Sequence, residues 1–368
     1  MKVITNCIIL TGDDIVSDKN ILIKNHKIIG IDAVIPDNAE IIDLNGQYIA
    51  PAFIDIQLNG GTTKYFSKTP NTETLQEMEA AAAQYGTGYF LPTLISSPDE
   101  KIIEAIAAVG DYMKTGNSVV GMHLEGPYLN PEKRGAHNID IVRKPTDAAL
   151  QQIIQHGEGV IKIMTIAPEC FTDYQLDMLL ESGIILSAGH SMMTYKQAQY
   201  YFDKGIHLVT HLYNAMTQMG HREPGTVGAV FDNPNVYAPI ILDGGHCSYA
   251  AARIAYKQKG NKLILLTDAS FLGRQKTEFN WDVLSLKMQD GFYRNPEGNL
   301  AGAAISMPEA VQNAITHLNI SLQEAVAMAS SRVAKAINME TYIGFIKPGF
   351  TAKFVVFNEL GDVALLSV

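Results

Sequence analysis

The sequence predicts an α/β fold: a (β/α)8 TIM-like barrel carrying a small β-sandwich domain made from both chain termini. Two observations predict it. Between residues 51 and 270, eight apolar runs alternate with helix-patterned stretches, which is the rhythm of a parallel sheet with crossover helices. The two ends of the chain instead carry short, β-branched runs separated by polar turns.

Taken in order, residues 1–10, 21–31 and 40–49 read as antiparallel strands, with turns such as Gly12-Asp13-Asp14 and Pro36-Asp37-Asn38 between them. The eight central runs are 51–58, 86–95, 119–126, 160–168, 183–190, 207–214, 236–244 and 262–270. Helical patterns are clearest at 72–85, 98–114, 172–182, 194–204 and 248–259, and two more follow the last run at 306–317 and 321–338. Eight strands fit a closed barrel; an open doubly wound sheet is the alternative that the count leaves standing. Lys347-Pro348-Gly349 then turns the chain into a final strand at 352–358. Residues 1–50 and 345–368 are expected to pair into one small β domain around a barrel of residues 51–344. The alternative is that each end decorates the barrel separately.

Composition narrows the function. The chain has 368 residues, 47% hydrophobic and 18% charged, enough to bury a substantial core. A net charge of −10 argues against a nucleic-acid surface, which needs clustered Lys and Arg. It leaves room for an anionic small molecule held by a local cation. No apolar run reaches the roughly 18 residues of a membrane helix, and the start lacks the long apolar stretch of a signal peptide. Three cysteines, Cys7, Cys170 and Cys247, with no CxxC pair, fit a reducing compartment. The expectation is a cytoplasmic protein with neither a membrane nor a nucleic-acid partner.

Barrel chemistry sits at the C-terminal ends of the strands, so the polar residues there carry the functional argument. The third run ends in His123-Leu124-Glu125, the fifth in Gly189-His190, the sixth in His211-Leu212-Tyr213-Asn214, the seventh in Asp243-Gly244-Gly245-His246 and the eighth in Thr267-Asp268. Titratable side chains in otherwise apolar strands are costly unless paired or liganded. Glu125, His190 and His211 supply three ligands and leave a fourth position open for water, the pattern of a catalytic rather than a structural ion. Asp268 can then take that water's proton. A lone strand-end His is more often a hydrogen-bonded core residue; two with a Glu and an Asp on one rim reverse that reading.

The local sequences are more specific than the spacing. His123-Leu124-Glu125-Gly126-Pro127, residues 133–138 (Lys-Arg-Gly-Ala-His-Asn), residues 187–191 (Ser-Ala-Gly-His-Ser) and residues 210–216 (Thr-His-Leu-Tyr-Asn-Ala-Met) resemble the N-acetylglucosamine-6-phosphate deacetylases of the amidohydrolase superfamily. Arg222-Glu223-Pro224-Gly225, Asp243-Gly244-Gly245-His246, Thr267-Asp268-Ala269 and Leu300-Ala301-Gly302 follow in the family's order. The resemblance covers about residues 50–350 and implies the same roles for Glu125, His190, His211 and Asp268. It further implies that Asn214, Ala215, Arg222 and His246 contact a sugar phosphate. Ala136 and His137 would flank the N-acetyl group, with His137 steadying the oxyanion, and Leu300, Ala301 and Gly302 would close over the sugar. It also implies a homodimer in which Arg222 reaches the neighbouring site.

Two departures qualify this. Many amidohydrolases end the first strand in His-x-His, which binds a second ion; here the residues are Gln57-Leu58-Asn59. Amides are poor zinc ligands beside imidazole. One divalent ion per subunit is therefore expected, zinc by default with iron, cobalt or manganese as alternatives, and Gln57 and Asn59 are expected to contact water or the ligands. Residues 270–274 (Ser-Phe-Leu-Gly-Arg) also lack the usual small-residue continuation after the Asp. Among other residues, His123 and His207 read as packing histidines, Asp243 as a loop-orienting residue, and Cys247 as a thiol without a base. The competing functions are deacetylation of an isomeric sugar phosphate, another amidohydrolase reaction, or silent sugar-phosphate binding.

Overall fold

The computed structural model describes residues 1–116, 118–358 and 363–368. Residues 359–362, inside the C-terminal stretch expected to join the small domain, lie outside the described residues. Six parallel strands form one curled sheet in sequence order: Phe53–Leu58, Thr87–Ile95, Met122–Glu125, Ile161–Ile166, Ile185–Ala188 and Leu208–Val209. Ala238–Ile241 and Leu263–Leu266 form a parallel pair. Single parallel bridges extend the order at both edges, Leu208 to Tyr237 and Leu58 to Ala269.

These strands are buried along their lengths; every residue of Thr87–Ile95 is buried. Such strands read as continuous apolar runs because helices cover the outside. Helices Thr72–Gln84, Asp99–Met113, Asp147–Gly157, Asp173–Glu181, Tyr195–Lys204 and Tyr249–Lys259 provide that cover. Local sequence starts and stops them. Thr172 with Gln175, and Thr194 with Gln197, form reciprocal capping boxes. Gly205, at φ 125°, ends the helix Tyr195–Lys204. One large apolar core joins strands and helices. Polar residues interrupt it in a two-residue period: Asp55, Gln57 and Asn59 share one face of the first strand, and His123 and Glu125 one face of the third.

The termini meet in a five-stranded sheet, ordered Val363–Ser367, Lys353–Phe357, Tyr48–Pro51, Ile8–Leu10, Ile15–Val16. A four-stranded sheet, Lys27–Asp32, Asn20–Lys24, Lys2–Thr5, Glu40–Asp43, lies in the same N-terminal stretch. Ile4, Ile9, Ile21, Ile49, Phe354 and Val356 belong to a separate apolar core there.

Five details differ from the sequence reading. The N-terminal strands are not all antiparallel: Lys2–Thr5 runs parallel to Glu40–Asp43, and Ile8–Leu10 parallel to Tyr48–Pro51. The run 1–10 breaks at Asn6, whose φ of 51° divides it between two sheets. The run 207–214 is strand only at Leu208–Val209, because left-handed backbone at His211 (φ 32°) and Tyr213 (φ 77°) ends the ladder. The helical pattern at 321–338 is two helices, Leu322–Ala329 and Ser331–Ala336, broken where Ser330 leaves helical geometry. Finally, Glu278–Asn280, Ser285–Gln289 and Phe292–Arg294 form an antiparallel flap that the periodicity did not predict. Its second turn is Asp290-Gly291, both at positive φ (51° and 84°), a strong hairpin signal in the sequence itself. Among the described residues no helix is long and apolar enough to cross a membrane.

Candidate active site

The C-terminal ends of the strands open into a cavity of about 470 Å³. Glu125, His190, His211 and Asp268 line it, and so do Asn59, Ala136, His137, Asn214, Ala215, His246, Leu300, Ala301 and Gly302. Gln57 is fully buried and reaches the cavity's carboxylates with its amide. Arg222 does not line the cavity of its own chain; it is exposed.

Three atoms converge at the centre. Glu125 Oε1, His190 Nε2 and His211 Nε2 are each 3.2 Å from the other two. Bonds of about 2.0–2.1 Å to a tetrahedral ion place neighbouring ligand atoms about 3.3 Å apart, so the triangle has the size of an ion's coordination face. His190 Nδ1 lies 2.8 Å from the Lys133 carbonyl. A carbonyl only accepts, so Nδ1 carries the hydrogen and Nε2 presents its lone pair to the triangle.

Another grouping, Glu125, His137 and His190, also brings ligand-type atoms within 4.8 Å of one another. The tautomer of His137 argues against it. Its Nδ1 accepts from the Ser96 backbone N–H at 3.3 Å and lies 2.8 Å from Ser96 Oγ. Nδ1 is therefore unprotonated, and the neutral ring carries its hydrogen on Nε2, 3.8 Å from Glu125 Oε2. Burial, then the neighbouring His190, push the His137 pKa down to about 3 and keep the ring neutral. It is an N–H donor facing the cavity rather than a lone-pair ligand.

The electrostatics favour a cation at the triangle. Burial alone would raise the Glu125 pKa, yet the close approach of the His190 and His211 rings holds it well below the usual range. Burial alone would lower that of His211, yet the Glu125 hydrogen bond and charge raise it. A carboxylate, two imidazole nitrogens and a spacing of 3.2 Å fit a divalent ion of the zinc type.

Asp268 stands beside this centre. Its Oδ1 accepts from Gln57 Nε2 at 3.0 Å and from Asn59 Nδ2 at 2.8 Å. Gln57 Nε2 also donates to Glu125 Oε1 at 3.0 Å. Gln57 thus bridges the two carboxylates, Asn59 adds a second donor to Asp268, and the carbonyl oxygens of both amides are buried without partners. Burial, then the Glu125 charge, push the Asp268 pKa up to about 6. His190, His211, Ala215 and Asp268 all adopt left-handed backbone, with φ of 50°, 32°, 50° and 50°. Such conformations disfavour residues with a Cβ and gather at functional sites.

His246 is fixed by Asp243, which accepts from its Nδ1 at 2.7 Å and from its backbone N–H at 2.8 Å. Asp243 thus orients a cavity residue as well as a loop. His123 is the packed residue expected, with Nε2 2.7 Å from Thr165 Oγ1 inside the sheet. The sequence reading missed Tyr65, Arg134, Leu284, Glu297 and Asn299, which line the same cavity. Arg134 lies inside a quoted motif; the others stand on loops or the flap and carry no strand-end signal.

A curled parallel sheet that gathers a carboxylate, two imidazoles and a buried aspartic acid at its C-terminal rim is the layout of a metal-centred hydrolase. The model of the amidohydrolase family matches residues 48–366. The chain is 36% identical over 362 residues to the N-acetylglucosamine-6-phosphate deacetylase of Haemophilus influenzae, covering 96% of this chain and 94% of that protein. It is also 36% identical over 323 residues to an N-acetylgalactosamine-6-phosphate deacetylase of Shewanella sp., covering 87% and 81%. Its structure resembles the crystal structure of N-acetylglucosamine-6-phosphate deacetylase from Pasteurella multocida, with a TM-score of 0.94, 34% identity and coverage of 98% and 96%. The chain belongs to the amidohydrolase family and is a hydrolase.

Proposed function

We propose that this enzyme hydrolyses the acetamide of N-acetylglucosamine 6-phosphate to acetate and glucosamine 6-phosphate. The observation that carries the proposal is one cavity holding both the 3.2 Å triangle of Glu125, His190 and His211 and the proton-handling groups Asp268 and His137. The N-acetylglucosamine-6-phosphate deacetylase relatives supply the substrate.

Glu125, His190 and His211 would hold one divalent ion, which we take to be zinc, with iron, cobalt or manganese as alternatives. Such an ion supplies a Lewis acid and a water acidified toward neutrality. Asp268 takes the proton of the attacking water; its Oδ1 is held by two amides, which leaves Oδ2 for that work. The same carboxyl then passes the proton to the departing amine. His137 Nε2–H donates to the acetyl oxygen as negative charge grows there. Gln57 holds the two carboxylates in register and Asn59 steadies Asp268, in place of the ligands of a second ion. Asn214, Ala215 and His246 contact the phosphorylated sugar, and Leu300, Ala301 and Gly302 cover it. Arg222 lies outside its own cavity and reaches the phosphate in the neighbouring subunit of a homodimer.

We further take the eight parallel strands as a closed (β/α)8 barrel of residues 51–344, with 1–50 and 345–368 as a small β-sandwich domain. The edge bridges at Leu208 and Leu58 and the separate apolar core support that division. Three unpaired cysteines fit a reaction in the cytoplasm.

The Shewanella relative favours a second reading, the galactosamine epimer. Acetate release separates the two. Incubation with N-acetylglucosamine 6-phosphate, its galactosamine epimer and unphosphorylated N-acetylglucosamine is expected to rank the first highest and the last lowest. Preference for the epimer supports the second reading; equal rates without phosphate remove the sugar-phosphate site.

A further inference from the structure

Two walls of the cavity come from segments far apart in sequence. One is the loop that follows the third strand and carries Lys133–His137. The other is the hairpin after the flap strand Phe292–Arg294, where the bridge between Arg294 and Leu300 brings Leu300–Gly302 back into the cavity. Glu297 stands at the tip of that hairpin. Arg134 joins the two walls. Its Nη2 donates to both carboxylate oxygens of Glu297, at 2.8 and 2.9 Å, while its Nη1 donates to the Gly135 carbonyl at 3.2 Å and the His137 carbonyl at 3.0 Å. Asn299 Nδ2 adds a contact to Glu297 at 3.2 Å.

A lone exposed ion pair contributes little. This pair is different in kind. Side-chain exposure is 24% at Arg134 against 55% at Glu297, one guanidinium nitrogen meets both carboxylate oxygens, and the other pins two carbonyls of its own loop. That loop already touches the proposed ion site, because the Lys133 carbonyl accepts from His190 Nδ1. The flap behind the hairpin is seated by its own apolar cluster, which includes Tyr65, Phe271, Leu284 and Tyr293. The free side of the hairpin is tied down at Glu297.

We propose that Arg134 is a positioning residue of the substrate site: through Glu297 it latches the His137 loop to the Leu300–Gly302 wall and sets the gap that receives the sugar. The inference rests on the deacetylase reading for its kinetic arm. Loss of the latch lowers kcat/KM about tenfold, the scale of a lost charge-assisted contact, while metal content stays at the parent level. Arg134→Lys does not rescue, since an ammonium cannot span a carboxylate and two carbonyls at once.

The test compares Arg134→Ala, Arg134→Lys, Glu297→Ala and the double variant Arg134→Ala/Glu297→Ala in the full-length metal-loaded enzyme. Acetate release from N-acetylglucosamine 6-phosphate is expected to show similar losses in the two Ala variants, with the double variant no worse than the poorer single one. Multiplying losses mean that Arg134 touches substrate directly and overturn the latch, as does a twofold or smaller change in Arg134→Ala. A second arm needs no substrate: amide exchange in residues 295–302 should quicken in Glu297→Ala relative to the parent. Unchanged exchange overturns the latch. A parent that releases no acetate from either hexosamine phosphate defeats the deacetylase reading, and the exchange arm alone then decides the latch.

Discussion

Burial and the nearby Glu125 charge push the Asp268 carboxyl up to about 6. As the proposed base it must be ionised, so turnover is expected to fall as pH drops through that region, and a bound cation moves the limb lower. A pH profile of kcat checks the sign; a rate that rises on acidification contradicts the assignment. Asp268→Asn should cost on the order of 10²–10⁴ in kcat with metal content unchanged, and near-normal turnover would sink the proton role. His137 offers an Nε2–H because Ser96 occupies Nδ1. His137→Ala is expected to lower kcat by on the order of 10²–10³, as for loss of one oxyanion donor. Arg222→Ala should mainly raise KM for the phosphorylated substrate. Glu125, His190, His211 and Asp268 were legible because each is a titratable residue ending an apolar run. Arg134, Glu297 and Tyr65 were not, because loops and a flap bring them to the cavity, and loops carry no period.

At the scale of elements, close backbone approach fixes the cavity wall at Leu300–Gly302. Gly302 has φ 69°, and a Cβ there would meet the Asp268 carbonyl at 2.9 Å and Ser270 Oγ at 2.3 Å. The side chain can turn aside; the strand-end backbone cannot. Gly302→Ala is therefore expected to displace Asp268 and lower kcat at least about tenfold, with the helical circular dichroism of the parent. Full activity would show that the wall yields without disturbing the aspartate. The strand and helix alternation was readable because buried parallel strands are continuous apolar runs with capped helices between them. The sixth strand was overestimated because left-handed backbone at His211 ends it, a tertiary demand that apolar pattern does not show. The flap was missed although its Asp290-Gly291 turn stood in the sequence, because its strands mix polar and apolar residues at short length.

For the whole molecule, the polar column inside the sheet has a thermodynamic consequence. Asp55 is buried 1% exposed beneath the site, accepts from Thr267 and from the Gln57 backbone, and is pushed up to about 7 chiefly by burial. An unfolded Asp titrates near 3.9. Between about pH 4 and 7 the folded chain thus binds the extra proton, and stability falls as pH rises through that window. Asp55→Asn removes the titration, so its melting temperature relative to the parent should be higher at pH 8 than at pH 5. A constant or shrinking difference would contradict the buried-acid account.

The central claim is one catalytic ion held by Glu125, His190 and His211 with Asp268 at its side. Its most direct test is titration of the metal-stripped enzyme with zinc while acetate release from N-acetylglucosamine 6-phosphate is followed. The account predicts negligible turnover in the stripped protein and a linear rise that saturates at one equivalent per chain. Saturation at two equivalents, or turnover indifferent to stripping, would contradict it.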